Sequence, residues 1–169
     1  MLIHFEMQQI IALPPGDVFA FLSEPMNMSL WNYYVLSAEI KGDTTIGVGT
    51  EFDMRRKKDQ LTYRITEYSS PHRLTIALQP PGPPHQLQFE LLPEGPHTHL
   101  TYRWQLALDK YSVLKYFPDG AIKDLLLSIP RRFILRLVKP ATEENFHKLK
   151  TLLETGEVVL QDGRRAKLN

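Results

Sequence analysis

Residues 86–106 read QLQFELLPEGPHTHLTYRWQL. Leu87, Phe89 and Leu91 alternate with Gln86, Gln88 and Glu90; the turn Pro93-Glu94-Gly95-Pro96 follows; Leu100, Tyr102, Trp104 and Leu106 then alternate with Thr101, Arg103 and Gln105. Successive side chains of a strand point to opposite faces, so this period of two marks strands with one covered face and one wet face. Two such strands joined by a Gly/Pro turn predict an antiparallel hairpin.

The same pattern continues upstream. Leu74, Ile76 and Leu78 alternate after the turn Pro71-His72, Leu61, Tyr63 and Ile65 alternate with Thr62, Arg64 and Thr66, and Phe52 and Met54 alternate with Glu51, Asp53 and Arg55. Arg56-Lys57-Lys58-Asp59 is a polar hairpin between two of these strands, and Tyr33–Lys41, bounded by Gly42-Asp43, is a further strand. Residues 3–12 alternate partially and read as the first strand; Pro14-Pro15-Gly16-Asp17 breaks it and opens a short helix with Val18, Phe19, Phe21 and Leu22 as its stripe. Pro25 ends that helix, and a second helical turn fits around Asn27–Trp31.

The last third changes period. Residues 121–138 and 141–154 read as helix, with Phe146, Leu149, Leu152 and Leu153 on one stripe. Pro140 is expected to kink or split it, Pro130 fits a first turn with Ser128 as cap, and Gly156 stops the helix. Residues 156–169 are expected as a weakly ordered tail in which Glu157–Leu160 can pair as a short strand. The predicted order is thus one strand, two short helices, a run of antiparallel strands and a long helix. A sheet of six or seven strands needs a cover for its apolar face, and the only long cover is the C-terminal helix. One helix cannot fill the full width of such a sheet, so a cavity between them is expected.

The 169 residues suit one domain, and 43% apolar residues suffice for a core. Twenty Lys and Arg against 19 Asp and Glu give a net charge of +1, which offers no field for nucleic acid. The absence of Cys excludes disulfide, thiolate and iron–sulfur chemistry. No apolar run has the length of a membrane span and the N-terminus has no basic export signature, so a cytoplasmic protein is expected.

Several stretches together carry a resemblance. Pro15-Gly16-Asp17-Val18-Phe19-Ala20-Phe21-Leu22, Trp31, Gly47-Val48-Gly49-Thr50, Tyr63–Tyr68, Pro71-His72-Arg73-Leu74 and the closing Phe146–Glu154 follow one another as in START-like, helix-grip proteins. The sequence resembles the SRPBCC superfamily, in its polyketide cyclase/dehydrase and lipid-transport branch. The resemblance covers residues 1–155 as one START-like domain, with residues 108–139 longer and richer in Arg than the family pattern. It implies an α+β helix-grip fold, a curved antiparallel sheet around a long C-terminal helix, and a cavity for a hydrophobic small molecule. Fold alone does not name a reaction.

The ligand-cavity candidates are the inward aromatic and apolar residues Trp31, Phe52, Met54, Tyr63, Ile65, Phe89, Tyr102, Trp104 and Phe146. Each also fits plain core; Tyr and Trp favour a cavity because their polar tips need a partner when buried. No acid–base pair stands out. Glu51, Asp53 and Glu90 point away from the apolar face by alternation, while Glu67 shares parity with Tyr63 and Ile65 and faces either inward or a solvated strand end. His97 and His99 share a strand face but lack a third metal ligand nearby, and His147 is the histidine most able to reach a cavity, while a surface position suits it better. Arg55–Lys58 and Arg131, Arg132, Arg136 and Lys139 form basic clusters that read as solvated surface or as a docking patch. No phosphate-binding or dinucleotide loop is present. The expected partner is a hydrophobic or aromatic small molecule, with no metal, cofactor, nucleic acid or integral membrane association. The alternatives are an aromatase/cyclase-like or hydrolytic enzyme using Tyr63, Tyr102 and Glu67, and an interaction module of the chaperone-regulator type.

Overall fold

The computed structural model describes residues 2–43, 45–107 and 130–168. Strand β1 (Leu2–Ile11) leads into helix α1 (Pro15–Ser23), a 3-10 turn (Pro25–Asn27) and helix α2 (Met28–Trp31). Strands β2 (Val35–Ile40), β3 (Glu51–Arg56), β4 (Gln60–Ser69), β5 (Arg73–Leu78), β6 (His85–Glu94) and β7 (His97–Ala107) follow. Helix α3 (Arg131–Thr155) and a short hairpin, β8 (Glu157–Val159) and β9 (Arg165–Lys167), complete the described chain.

The seven long strands form one antiparallel sheet in the order β1-β7-β6-β5-β4-β3-β2. The alternation in the sequence sets its faces: Phe5, Phe52, Ile65, Ile76, Phe89 and Leu100 are all buried on the inner side. On the outer side, charged residues pair across strands. Arg73 joins Glu67 and Glu90, and Arg103 joins Glu90 and Glu6.

One outward residue contradicts simple parity. The β4–β5 register shifts between Ile65 and Glu67, so Tyr68, not Glu67, lies opposite the inward Leu74. A bulge of one residue turns every later side chain to the other face. Tyr68 packs edge-on against Phe19 with ring centroids 5.1 Å apart. Glu67 accepts hydrogen bonds from Thr75 and Arg73 on the outer side, which removes it from the cavity candidates.

Helix α3 is attached mainly through its second half. Phe146, Leu149, Leu152 and Leu153 are buried, and each such side chain contributes roughly 1.5–3 kcal/mol before entropy is charged against it. Pro140 lies inside the helix and does not split it. In the first half Arg132, Phe133, Arg136 and Lys139 are exposed. Pro130 stands at the N-cap rather than in the first turn, and Ser128 and residues 121–129 lie outside the described residues. At the C-terminal end Gly156 adopts φ 81°, where a side chain would be strained, and its N–H bonds the Leu152 carbonyl at 2.8 Å.

Beyond Gly156 the short strand expected at Glu157–Leu160 forms over Glu157–Val159 and pairs with Arg165–Lys167, in a hairpin that is packed rather than weakly ordered. Val158, Leu160 and Ala166 are buried. Arg164 donates to the carbonyls of Tyr33 (2.8 Å) and Val35 (3.0 Å), which ties the hairpin to the start of β2. Among the described residues no helix is long and apolar enough to cross a membrane.

Candidate functional site

The half-attached helix leaves a cavity of about 740 Å³ between the inner sheet face and α3. Met54, Leu61, Leu78, Leu87 and Leu106 supply apolar wall from five strands, and Val138 supplies it from α3. Trp31 enters at the end of α2, where its ring meets Phe89 edge-on at 6.4 Å. Tyr63, Tyr102 and Trp104 project from β4 and β7.

Of the nine candidates, Trp31, Met54, Tyr63, Tyr102 and Trp104 border this space. Phe52, Ile65, Phe89 and Phe146 do not; each is at most 5% exposed and packs behind the lining. Phe89 lies 5.1 Å from the Tyr102 ring, and Phe146, on α3, lies 5.6 Å from the same ring. Phe52 stacks on Tyr63 at 5.9 Å. The three phenylalanines support rings that face the cavity.

The polar lining includes a histidine that is not among the sequence candidates. His147 is exposed, whereas His85 borders the cavity. The Tyr63 hydroxyl and His85 Nδ1 are 2.8 Å apart, and the imidazole lies 5.1 Å from the Trp104 ring. His85 Nε2 is buried with no hydrogen-bond partner among the described residues. Burial, helped by the nearby Arg56 charge, lowers His85 to about 4, so the ring is neutral at physiological pH. Burial raises the Tyr63 and Tyr102 hydroxyls well above the ordinary tyrosine range.

Arg56 and Asp59, both expected in a polar hairpin, also border the cavity. The Arg56 fork grips Asp59 through two hydrogen bonds, one from Nε at 2.6 Å and one from Nη2. That contact raises Arg56 and lowers Asp59, so both stay charged. Asn32 and Asn145 also line the cavity, in mutual contact, with Asn145 Nδ2 donating to Asn32 Oδ1 at 3.1 Å.

A readable pattern precedes some of these residues. Arg56 shares parity with Phe52 and Met54, and His85 shares it with Leu87 and Phe89. Asn145 and Thr142 extend the stripe of Phe146 and Leu149 back by one and two turns. The other metal candidates stay outside: His99 bonds Gln8 at 3.2 Å, with Glu94 at 3.7 Å.

The sequence profile of the family described as polyketide cyclase / dehydrase and lipid transport matches residues 3–154. The chain belongs to that family. No curated protein matches it by sequence. Among solved structures, it is similar to the di-domain ARO/CYC StfQ from the steffimycin biosynthetic pathway. The TM-score is 0.66 at 13% identity, over 91% of this chain and 51% of that one, so this chain spans about half of StfQ. A protein from Chromobacterium violaceum matches with a TM-score of 0.59 at 12% identity, over 89% and 96% of the two chains. The Aha1 dimer from Colwellia psychrerythraea matches at 0.58 and 14% identity, over 91% and 98%. These likenesses show the helix-grip fold that this polyketide cyclase/dehydrase family member shares with proteins of different roles.

Proposed function

We propose that this family member binds a hydrophobic, ring-bearing small molecule between α3 and the sheet, and holds it without transforming it. The observation that carries this reading is the cavity of about 740 Å³ walled by Trp31, Tyr102, Trp104 and aliphatic residues. Pockets for small ligands span roughly 300–1,000 Å³ and combine apolar walls with a few polar groups. The protonation states favour binding over turnover. A general acid or base works best when it titrates near the operating pH, yet His85 lies near 4 and both cavity tyrosines are raised.

The test is native mass spectrometry of the purified protein, followed by denaturing extraction. A co-purifying apolar molecule, or saturable quenching of Trp31 and Trp104 by added naphthalene derivatives, is the expected result. Neither retained ligand nor saturable binding of any such probe would overturn the reading.

A second reading, aromatase/cyclase-like turnover, draws on the likeness to StfQ and on the Tyr63–His85 contact inside the cavity. Turnover of a polyketide-like substrate that Tyr63→Phe abolishes while binding persists would favour it.

A further inference from the structure

The Asn32–Asn145 corner has a hydrogen-bond inventory that specifies what it lacks. Asn145 is 2% exposed. Its Oδ1 accepts from the Tyr33 backbone N–H at 3.3 Å and from Gln161 Nε2 at 2.9 Å. Asn32 Oδ1 accepts from the Tyr34 backbone N–H at 3.1 Å and from Asn145 Nδ2 at 3.1 Å. A backbone N–H only donates, so both amides are fixed in orientation and neither can be flipped. Both carbonyl oxygens are therefore occupied by protein donors. Each amide nitrogen carries two N–H groups. Only one of these four is used among the described residues, and both side chains border the cavity.

Toward the cavity the two amides thus offer donors and no free acceptor of their own; Gln161 Oε1, unpaired among the described residues, belongs to a residue that does not border it. An N–H that an occupant covers without accepting from it loses its water and is costly, so an occupant that brings an oxygen is favoured over one that does not. Charge narrows the oxygen's chemistry. Arg56, the cation that borders the cavity among the described residues, is gripped by Asp59. Arg164, behind the corner, is spent on Asp162 and on the carbonyls of Tyr33 and Val35. With no uncommitted cation at the corner among the described residues, a carboxylate would be poorly compensated, whereas a neutral carbonyl oxygen accepts two N–H bonds without bringing a charge.

We propose that Asn32 and Asn145 are the oxygen-reading site of this cavity, and that its ligand is a neutral hydrophobic molecule held there by a ketone or ester carbonyl. The site rests on the binding function above and adds the ligand's chemical class. Gln161 and Arg164 act as positioning residues. They lie beyond the family match at residue 154, and they pin the Asn145 amide and the Tyr33–Val35 backbone that carries Asn32.

The test compares 2-acetylnaphthalene with 2-ethylnaphthalene, near-isosteric probes that differ in one carbonyl, by equilibrium dialysis against the full chain. Asn32→Asp keeps the acceptor for Tyr34 and Asn145 but removes two of the three free donors. The ketone-to-hydrocarbon affinity ratio is expected to fall roughly tenfold in this variant, the scale of one lost hydrogen bond. Asn32→Ala, read by the same ratio, serves if the aspartate variant does not fold. A ratio unchanged within about twofold, with both probes still bound, overturns the carbonyl site and leaves the binding function standing. Failure of wild-type protein to bind either probe overturns the binding function itself, and this inference with it.

Discussion

The Tyr63 hydroxyl stands 2.8 Å from His85 Nδ1, joining β4 to the start of β6 where β5 ends. Because His85 is neutral, the pair holds as an ordinary hydrogen bond in a place that excludes water from the imidazole. Tyr63→Phe keeps the ring stack on Phe52 and removes only the hydroxyl. It leaves Nδ1 without its partner, and the expected loss is about 1–2 kcal/mol in urea denaturation.

His85 should also leave a mark on the acid side of the stability profile. Its folded value of about 4 lies below the value of about 6.5 expected in an unfolded chain. Between these two values the unfolded state binds more protons, so stability rises with pH and falls as the solution is acidified through the window. Up to about 3 kcal/mol is lost through this group by the lower end of the window. His85→Gln should flatten that part of the profile. Identical acid slopes for the two proteins in urea titrations would count against a neutral, buried His85.

The attached half of α3 depends on two fully buried leucines, Leu149 and Leu152. Truncating either to Ala should cost about 2–5 kcal/mol, from lost burial and an unfilled hole. Phe133→Ala, at an exposed site on the other half of the same helix, should stay within about 0.5 kcal/mol. The contrast, read from thermal or denaturant midpoints, checks that the two halves of the helix carry unequal loads.

Filling the cavity should separate binding from folding. Leu106 borders the cavity and is only partly buried. Leu106→Trp places extra volume where packing is absent, so the melting temperature should hold. Probe affinity should fall at least about tenfold in the same dialysis measurement. Retained affinity would move the ligand elsewhere.

The terminal hairpin makes a further quantitative demand. Arg164→Ala would strand the carbonyls of Tyr33 and Val35 and release Asp162. A loss of about 1–3 kcal/mol is expected, together with faster hydrogen exchange at the start of β2.

Much of this architecture was legible because strand faces and helix stripes are short-range patterns. The alternation of Leu87, Phe89, Tyr102 and Trp104 was enough to place them on the inner face, and the stripe from Phe146 to Leu153 fell where α3 meets the sheet. Glu67 was ambiguous because a one-residue bulge changes parity without a sequence signature as strong as the alternation it interrupts. The hairpin after Gly156 was underread because its few apolar residues, Val158, Leu160 and Ala166, gain burial only from contacts made far away in the chain. The cavity itself posed a different difficulty. Whether an inward aromatic meets a neighbour or a void depends on where α3 rests. Phe52 and Tyr63 share a face, yet only Tyr63 borders the open space.

The paired charges on the outer sheet face bear on what this protein meets. Glu67, Arg73, Glu90, Arg103 and Glu6 form a continuous chain of ion pairs across β4, β5, β6, β7 and β1. Each arginine is shared between two carboxylates, so that surface alternates in sign within a few ångströms, and its three carboxylates exceed its two guanidiniums by a single charge. Such a wall presents no coherent field to a polyanion or a charged bilayer. Long-range electrostatic steering therefore has no purchase there, and encounters across that face are governed by diffusion and short-range fit.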